Sequence, residues 1–165
     1  MTTTFARVRT SWIGAGAALV VLVLDILTKG WAVSALSDGR DIHIIWTLHL
    51  ALTHNDGMAF STGTNVGPFI GMLAIVVIGI LLLTMRKQSN VVSLIATGCI
   101  IGGATGNVLD RVFRGSGFMG GAVVDFIDFR WWPVFNVADI GIVCGAIAVA
   151  FNMIITKPET SEGNH

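Results

Sequence analysis

Gly102-Gly103-Ala104-Thr105-Gly106-Asn107-Val108-Leu109-Asp110-Arg111 is the stretch whose reading decides the fold. It ends an apolar run that begins near Val91. Gly98, Gly102 and Gly106 recur at four-residue spacing, a small-residue ridge that lets a second helix approach closely. One turn further on, Asn107, Asp110 and Arg111 fall at i, i+3 and i+4 and share a face. A carboxylate within an apolar span is costly unless it is paired or faces a wet cavity, so it marks a functional site by default. The segment therefore reads as a membrane helix with a packing ridge and a polar end. Asp110 and Arg111 could form a satisfied buried pair. Asp110 is expected to be structural, with Arg111 as its partner, and Asn107 and Arg111 to face a cavity.

The rest of the chain has the composition of a membrane protein. Charged residues are 12 % of its 165 residues and hydrophobic ones 53 %, and its mean hydropathy is +0.77. A soluble domain carries about twice that charged fraction. Zero net charge argues against a nucleic-acid partner. Cys99 and Cys144 both fall mid-span and read as packing residues. The length suits a single domain, residues 1–165.

Crossing the hydrocarbon takes roughly 20 apolar residues. Four segments qualify: about 12–33, 66–85, 91–113 and 136–156, followed by a polar tail, 157–165. The alternative for the first, a cleaved signal peptide ending at Val33-Ser34-Ala35, is disfavoured because Asp25 and Lys29 would interrupt its apolar core. Four spans put both termini and the 86–90 turn on one side. Lys and Arg number five on each side, but those of the termini and short turn are denser, which favours cytoplasmic termini. Asp25, Lys29, Asn107, Asp110, Arg111, Asn136 and Asp139 then converge at the exterior ends of the helices.

Asp25 and Lys29 are an i, i+4 pair with the acid first, either self-neutralised or supporting a site. Residues 123–129 alternate like a strand. Asp125 falls on an apolar face with Val123, Ile127 and Phe129; Asp128 falls on the opposite one, with Arg130 within reach. The alternation favours Asp125 as the special carboxylate. Asn136 and Asp139, i and i+3 just after Pro133, suit a helix cap and a dipole-stabilised acid. Capping alone leaves unexplained why Asp139 should point toward the other polar clusters. His54-Asn55-Asp56-Gly57 reads as a turn in which Asn55 or Gly57 takes positive φ. His43, His49 and His54 match no common zinc spacing, so no metal is expected, and no nucleophile elbow or phosphate loop is visible.

Taken in order, Asp25-Ile-Leu-Thr-Lys29, Asn55-Asp-Gly57-Met-Ala59-Phe60, Gly102 to Arg111, Val123-Val-Asp125-Phe126 and Phe135-Asn136-Val-Ala138-Asp139 resemble the sequence boxes of lipoprotein signal peptidase, the type II signal peptidase of bacterial inner membranes. The resemblance implies an all-α membrane protein of four transmembrane helices with a small extracytoplasmic β-like cradle. It implies an aspartic endopeptidase that cuts prolipoproteins just before the diacylglyceryl-modified cysteine. The family's catalytic aspartates map onto Asp125 and Asp139. The stretch between Arg111 and Asp125 is longer than the family pattern leads one to expect, and Gly115–Gly121 is expected to alter the rim of the cleft.

Two such carboxylates should share a proton, because like charges a few ångströms apart cannot both ionise easily. Asp125 is the member expected to hold it, and Asp139, in a first helical turn, the ionised one. Asn55, Asn107, Arg111 and Asn136 are expected to orient the substrate backbone or a developing oxyanion, with Gly57 and Ala138 lining their boxes and Asp25, Lys29 and Asp110 as structural polar groups. No cofactor is required. The expected partners are diacylglyceryl-modified prolipoproteins and membrane lipid, and the chain is expected to be a monomer. A proton-coupled transporter would also need intramembrane Asp and Arg, but the inner halves of the second, third and fourth spans are nearly all apolar.

Overall fold

The computed structural model describes residues 2–57 and 66–155. Four helices, α1 (Thr2–Leu36), α2 (Val66–Met85), α3 (Val91–Phe113) and α4 (Val137–Ile155), carry segments long and apolar enough to cross a membrane. Three short strands, β1 (Asp41–Ile45), β2 (Leu48–Asn55) and β3 (Val123–Asp128), form one antiparallel sheet in the order β1-β2-β3. The ends of α2 and α3 match the expected spans. Helix α1 runs on to Leu36, three residues beyond its expected end, because Ala32 and Leu36 pack with Phe126 of β3 into a small core. At the other end of the chain α4 starts at Val137, and Asn136 stands just outside it. Met58, Ala59 and Phe60 of the second box, and the tail 157–165, lie outside the described residues.

Helix α3 is the hub. Half of its apolar window is buried within the protein, against 22 % for α1 and 11 % for α2 and α4. The glycine ridge explains why. A Cβ at Gly98 would overlap the Gly14 carbonyl oxygen, one at Gly102 the Ala18 carbonyl oxygen, and one at Gly106 the Asp25 carboxylate, so the ridge is the contact with α1. On another face, a Cβ at Gly103 would overlap the Ala138 carbonyl oxygen of α4. Dispersion between closely apposed backbones replaces the hydrophobic drive that lipid cannot provide. The remaining faces of α2 and α4 present exposed Leu, Ile, Val and Phe, as lipid-facing surfaces must.

Above the ridge, the helices are joined by buried charge. Lys29 Nζ of α1 meets Asp25 at 2.7 Å and Asp110 of α3 at 2.9 Å, and donates to Asn107 Oδ1 at 2.9 Å. The far oxygen of Asp25 accepts from the Ala138 amide of α4 at 2.9 Å. Asp110 also receives Arg114 Nε and, at 3.2 Å, the Val124 amide of β3. The expected Asp110–Arg111 pair does not form. Adjacent helix positions diverge by about 100°, and Asp110 turns toward α1 and β3 while Arg111 turns toward α2, where a Cβ at Gly67 would lie 3.0 Å from its Nη1.

The sheet is a hairpin plus one strand from the second long connection. Asn55 pairs with Val123 and His49 with Asp128, with an irregularity between Leu50 and Thr53. Strand β3 is Val123–Asp128, one residue shorter than its sequence pattern, and is buried on both faces except at Ile127. Periodicity alone therefore does not separate Asp125 from Asp128; their partners do. The long glycine segment after α3 folds back on the helix end. Gly121 donates to the Arg111 carbonyl at 2.9 Å, and Met119, 2 % exposed, sits with Arg111 against Gly71 of α2.

Two substitutions test this frame. Gly102→Ile forces a branched side chain onto a backbone oxygen that cannot move, and should cost more than the ~1–3 kcal/mol of ordinary overpacking. Gly79→Ala, where nothing lies within 4 Å of the new methyl, should leave the melting temperature in detergent unchanged or slightly raised; equal effects would dissociate the ridge from the packing. Asp110→Asn strips Lys29 and Arg114 of a shared partner and should lower stability by about 3–5 kcal/mol, as breaking buried pairs does. An unaltered thermal transition for that variant would mean that the junction contributes nothing.

Candidate active site

A cavity of about 350 Å³ opens between α2, α3, α4 and the end of the sheet, and its polar lining is Asn55, Asn107, Arg111, Asp125 and Asp139. Each element delivers its residue for a local reason. Strand β2 ends at Asn55, whose Oδ1 accepts from the Gly57 amide at 2.9 Å. Gly57 has φ +92° and lies against the Gly67 backbone at the start of α2, a conformation and a contact that exclude a side chain. That turn leaves Asn55 Nδ2 free to donate to Asp125 Oδ2 at 3.0 Å.

Helix α4 opens with a reciprocal cap. The Asp139 amide donates to Asn136 Oδ1 at 3.0 Å, and the Asn136 amide donates to Asp139 Oδ2 at 3.2 Å. Because capping uses only the oxygen of the Asn136 side chain, its Nδ2 donates to Asp125 Oδ1 at 2.7 Å, with Asn107 Oδ1 and the Val124 carbonyl also within reach. Asn107 Nδ2 in turn donates to Asp139 Oδ1 at 2.8 Å. Three amide side chains, those of Asn55, Asn136 and Asn107, thus hold two carboxylates from two elements on the wall of one cavity. Ala138 supplies its backbone amide to Asp25 and is fully buried.

What distinguishes Asp125 and Asp139 from the buried carboxylates Asp25, Asp110 and Asp128 is the kind of donor they meet. Asp25 and Asp110 are bound to Lys29, and Asp110 also to Arg114. Asp128 is held by Arg130, through its amide at 2.6 Å and its guanidinium at 3.1 Å. A carboxylate paired with a cation has its lone pairs engaged in neutralising that charge and is poorly placed for proton transfer to a substrate. Among the described hydrogen bonds, Asp125 and Asp139 receive neutral amides. Burial dominates at Asp125, which is 2 % exposed. It pushes the carboxyl up from its ordinary 3.8 to about 6, with the charge of Asp139 pushing the same way and the Asn55 and Asn136 bonds opposing. A carboxyl with a raised pKa beside a second carboxylate suits general acid–base chemistry.

Arg111 is 5 % exposed and its Nη1 has no hydrogen-bond partner among the described residues. It lines the cavity as an unengaged donor. His43 bonds the Trp46 carbonyl and His49 bonds Asp41, in the hairpin, and no cluster of metal-ligand type occurs among the described residues. Met119 escaped the sequence reading altogether, since nothing in a glycine-rich stretch marks one methionine for burial.

A family profile described as signal peptidase (SPase) II matches residues 17–155. The chain is 44 % identical over 143 residues to a lipoprotein signal peptidase of Rhodococcus jostii, covering 85 % of this chain and 72 % of that one. It is 47 % identical over 132 residues to a lipoprotein signal peptidase of Mycolicibacterium smegmatis, covering 79 % of this chain and 56 % of that one. With one from Mycobacterium tuberculosis it shares 46 % identity over 132 residues, covering 79 % and 65 %. The chain thus spans less than two thirds of the two mycobacterial proteins. A bacterial membrane enzyme solved by the in meso method at 2.3 Å shares the fold, with a TM-score of 0.75 over 92 % of this chain and 93 % of that one at 24 % identity. This multi-pass membrane chain belongs to the signal peptidase II family.

Proposed function

We propose that the protein is an aspartic endopeptidase that removes signal peptides from prolipoproteins, cutting before the diacylglyceryl-modified cysteine, with Asp125 and Asp139 as the catalytic pair. The observation that carries this reading is that the two carboxylates facing one cavity are held by neutral amides while their buried neighbours are held by cations.

Asp139 takes a proton from a water as its oxygen attacks the scissile carbonyl, and Asp125 gives its proton to the carbonyl oxygen. As the tetrahedral intermediate collapses, Asp139 passes its proton to the leaving amine and a hydroxyl of the intermediate returns its proton to Asp125, which restores one shared proton on the pair. Arg111 and Asn55 stand where they can bind the peptide carbonyls or the developing oxyanion. Lys29 acts through Asn107, fixing the amide that orients Asp139. Both termini lie in the cytoplasm and the sheet and cavity at the extracytoplasmic side of the bacterial inner membrane, an orientation supported by the dense basic residues of the termini and the 86–87 turn.

Asp125→Asn and Asp139→Asn should each lower cleavage of a lipidated prolipoprotein by at least the ~10²–10⁴-fold typical of one acid–base group, with each protein still inserted and folded. Asp128→Asn should keep most activity. Normal cleavage by Asp125→Asn, or loss with Asp128→Asn at full abundance, would reassign the pair.

The pH dependence has a defined sign. Between its ordinary 3.8 and about 6, Asp125 keeps its proton in the folded protein and loses it in the unfolded one. Its contribution to stability is therefore complete below 3.8 and is lost as the pH rises through about 6. Asp125→Asn should flatten that slope in thermal unfolding. In kcat/KM the acid form of Asp125 is needed, so activity should fall on the alkaline side. Asn55→Ala, which removes a bond favouring the ionised form, should move that limb to higher pH; a limb that stays in place would remove Asp125 as the titrating acid.

A further inference from the structure

A second cavity, of about 250 Å³, runs along the outer face of α4 and is lined by Trp132, Phe135, Asp139, Ile140, Val143 and Cys144. Apart from Asp139, its walls are apolar or weakly polar. Asp139 lines both cavities, so the groove and the catalytic cleft meet at a catalytic carboxylate. An aromatic run forms its rim: Phe135 stacks on Phe129 at 5.9 Å, Phe129 meets Trp131 at 5.9 Å, and Trp131 meets Trp132 at 6.1 Å. Trp131 and Trp132 are exposed. Indoles collect at the boundary between headgroups and hydrocarbon. The rim therefore sits at that boundary, with Ile140, Val143 and Cys144 one to two turns deeper along α4.

We propose that this groove seats an acyl chain of the lipid-modified substrate, an inference that rests on the prolipoprotein-peptidase reading above. In such a substrate the two chains hang from the residue immediately after the scissile bond, so they must leave the cleft within a few bonds of Asp139. The groove begins there and leads down into the hydrocarbon. A chain moving into it from the bilayer gains little hydrophobic free energy, because lipid is as apolar as the groove. The groove works by orientation: a chain laid along α4 fixes the modified residue, and with it the scissile carbonyl, against the two carboxylates.

The test uses the full-length protein in lipid bicelles. The substrate is a synthetic prolipoprotein peptide carrying a diacylglyceryl cysteine with a photoactivatable diazirine midway along one chain. Irradiation followed by mass mapping should place adducts in residues 131–147, while a diazirine phospholipid at the same concentration labels all four helices. Adducts on α2, or a pattern matching that of the phospholipid, would overturn the groove.

A groove-filling variant gives a second reading. Val143→Trp, at a side chain already 55 % exposed, should lower kcat/KM for the long-chain peptide by about tenfold through lost orientation. It should leave a peptide bearing acetyl groups on the same glyceryl cysteine unaffected. Ile147→Trp, one turn further along α4 and outside the groove, should leave both peptides unaffected. Equal loss on both peptides with Val143→Trp would overturn the inference. Wild-type cleavage of the long-chain peptide reports on the peptidase reading itself: no cleavage sinks that reading, whereas cleavage with adducts elsewhere sinks only the groove.

Discussion

Lys29 is the group on which the rest of the structure depends. Its side chain is 1 % exposed, deep in an apolar helix, where an unpaired ammonium is untenable. It is tolerated because α1 offers Asp25 and α3 offers Asp110 and Asn107, so satisfying one cation requires those two helices in one register. The partners extend the requirement. Asp25 binds the first turn of α4 through Ala138, Asp110 binds β3 through Val124, and Asn107 binds Asp139. A buried charge is weak evidence of net stability, but here it specifies an arrangement, because any slip of α1 against α3 strands one of its partners. The glycine ridge below brings the backbones close, and the junction above sets which residues face which.

Much of this was legible in the chain. Helix positions followed from the length of the apolar runs, and the ridge announced a close helix contact. The i, i+4 spacing announced the Asp25–Lys29 pair. What could not be read was the partner across a helix interface. Asp110 and Arg111 are neighbours in sequence and looked like a pair, yet successive positions on a helix point in different directions, and each carboxylate is claimed by whichever cation its own face meets. The hairpin 41–55 was equally hidden, since its pairing with 123–128 joins segments about seventy residues apart and depends on where α1 and α3 end.

The choice between Asp125 and Asp128 shows why strand alternation is by itself an incomplete reason. Alternation separates the two residues onto opposite faces, but β3 is covered on both, so exposure does not tell them apart. The difference lies in what each face meets: Arg130, two residues on, folds back to Asp128, whereas Asp125 meets the amides of Asn55 and Asn136. The sequence contained Arg130, and its ability to neutralise Asp128 was visible. The amides opposite Asp125 came from two distant segments and were not.

Asn136 carries the last step. A cap and a site residue looked like alternative explanations of the same motif, but an asparagine has two ends. Its oxygen closes the first turn of α4 on the Asp139 amide, and that bond fixes the rotamer that aims its nitrogen at Asp125. The Asp139 carboxylate closes the other half of the box on the Asn136 amide, which leaves Oδ1 to Asn107. The capping geometry of one helix thus positions both carboxylates relative to each other. An aspartate in place of Asn136 could still cap, but it would lack the donor and bring a third negative charge into the cavity. An alanine would lose cap and donor together. A serine could keep the cap, but its single short hydroxyl cannot also reach across to β3. Of these residues only asparagine, at that position, makes helix initiation and carboxylate alignment the same event.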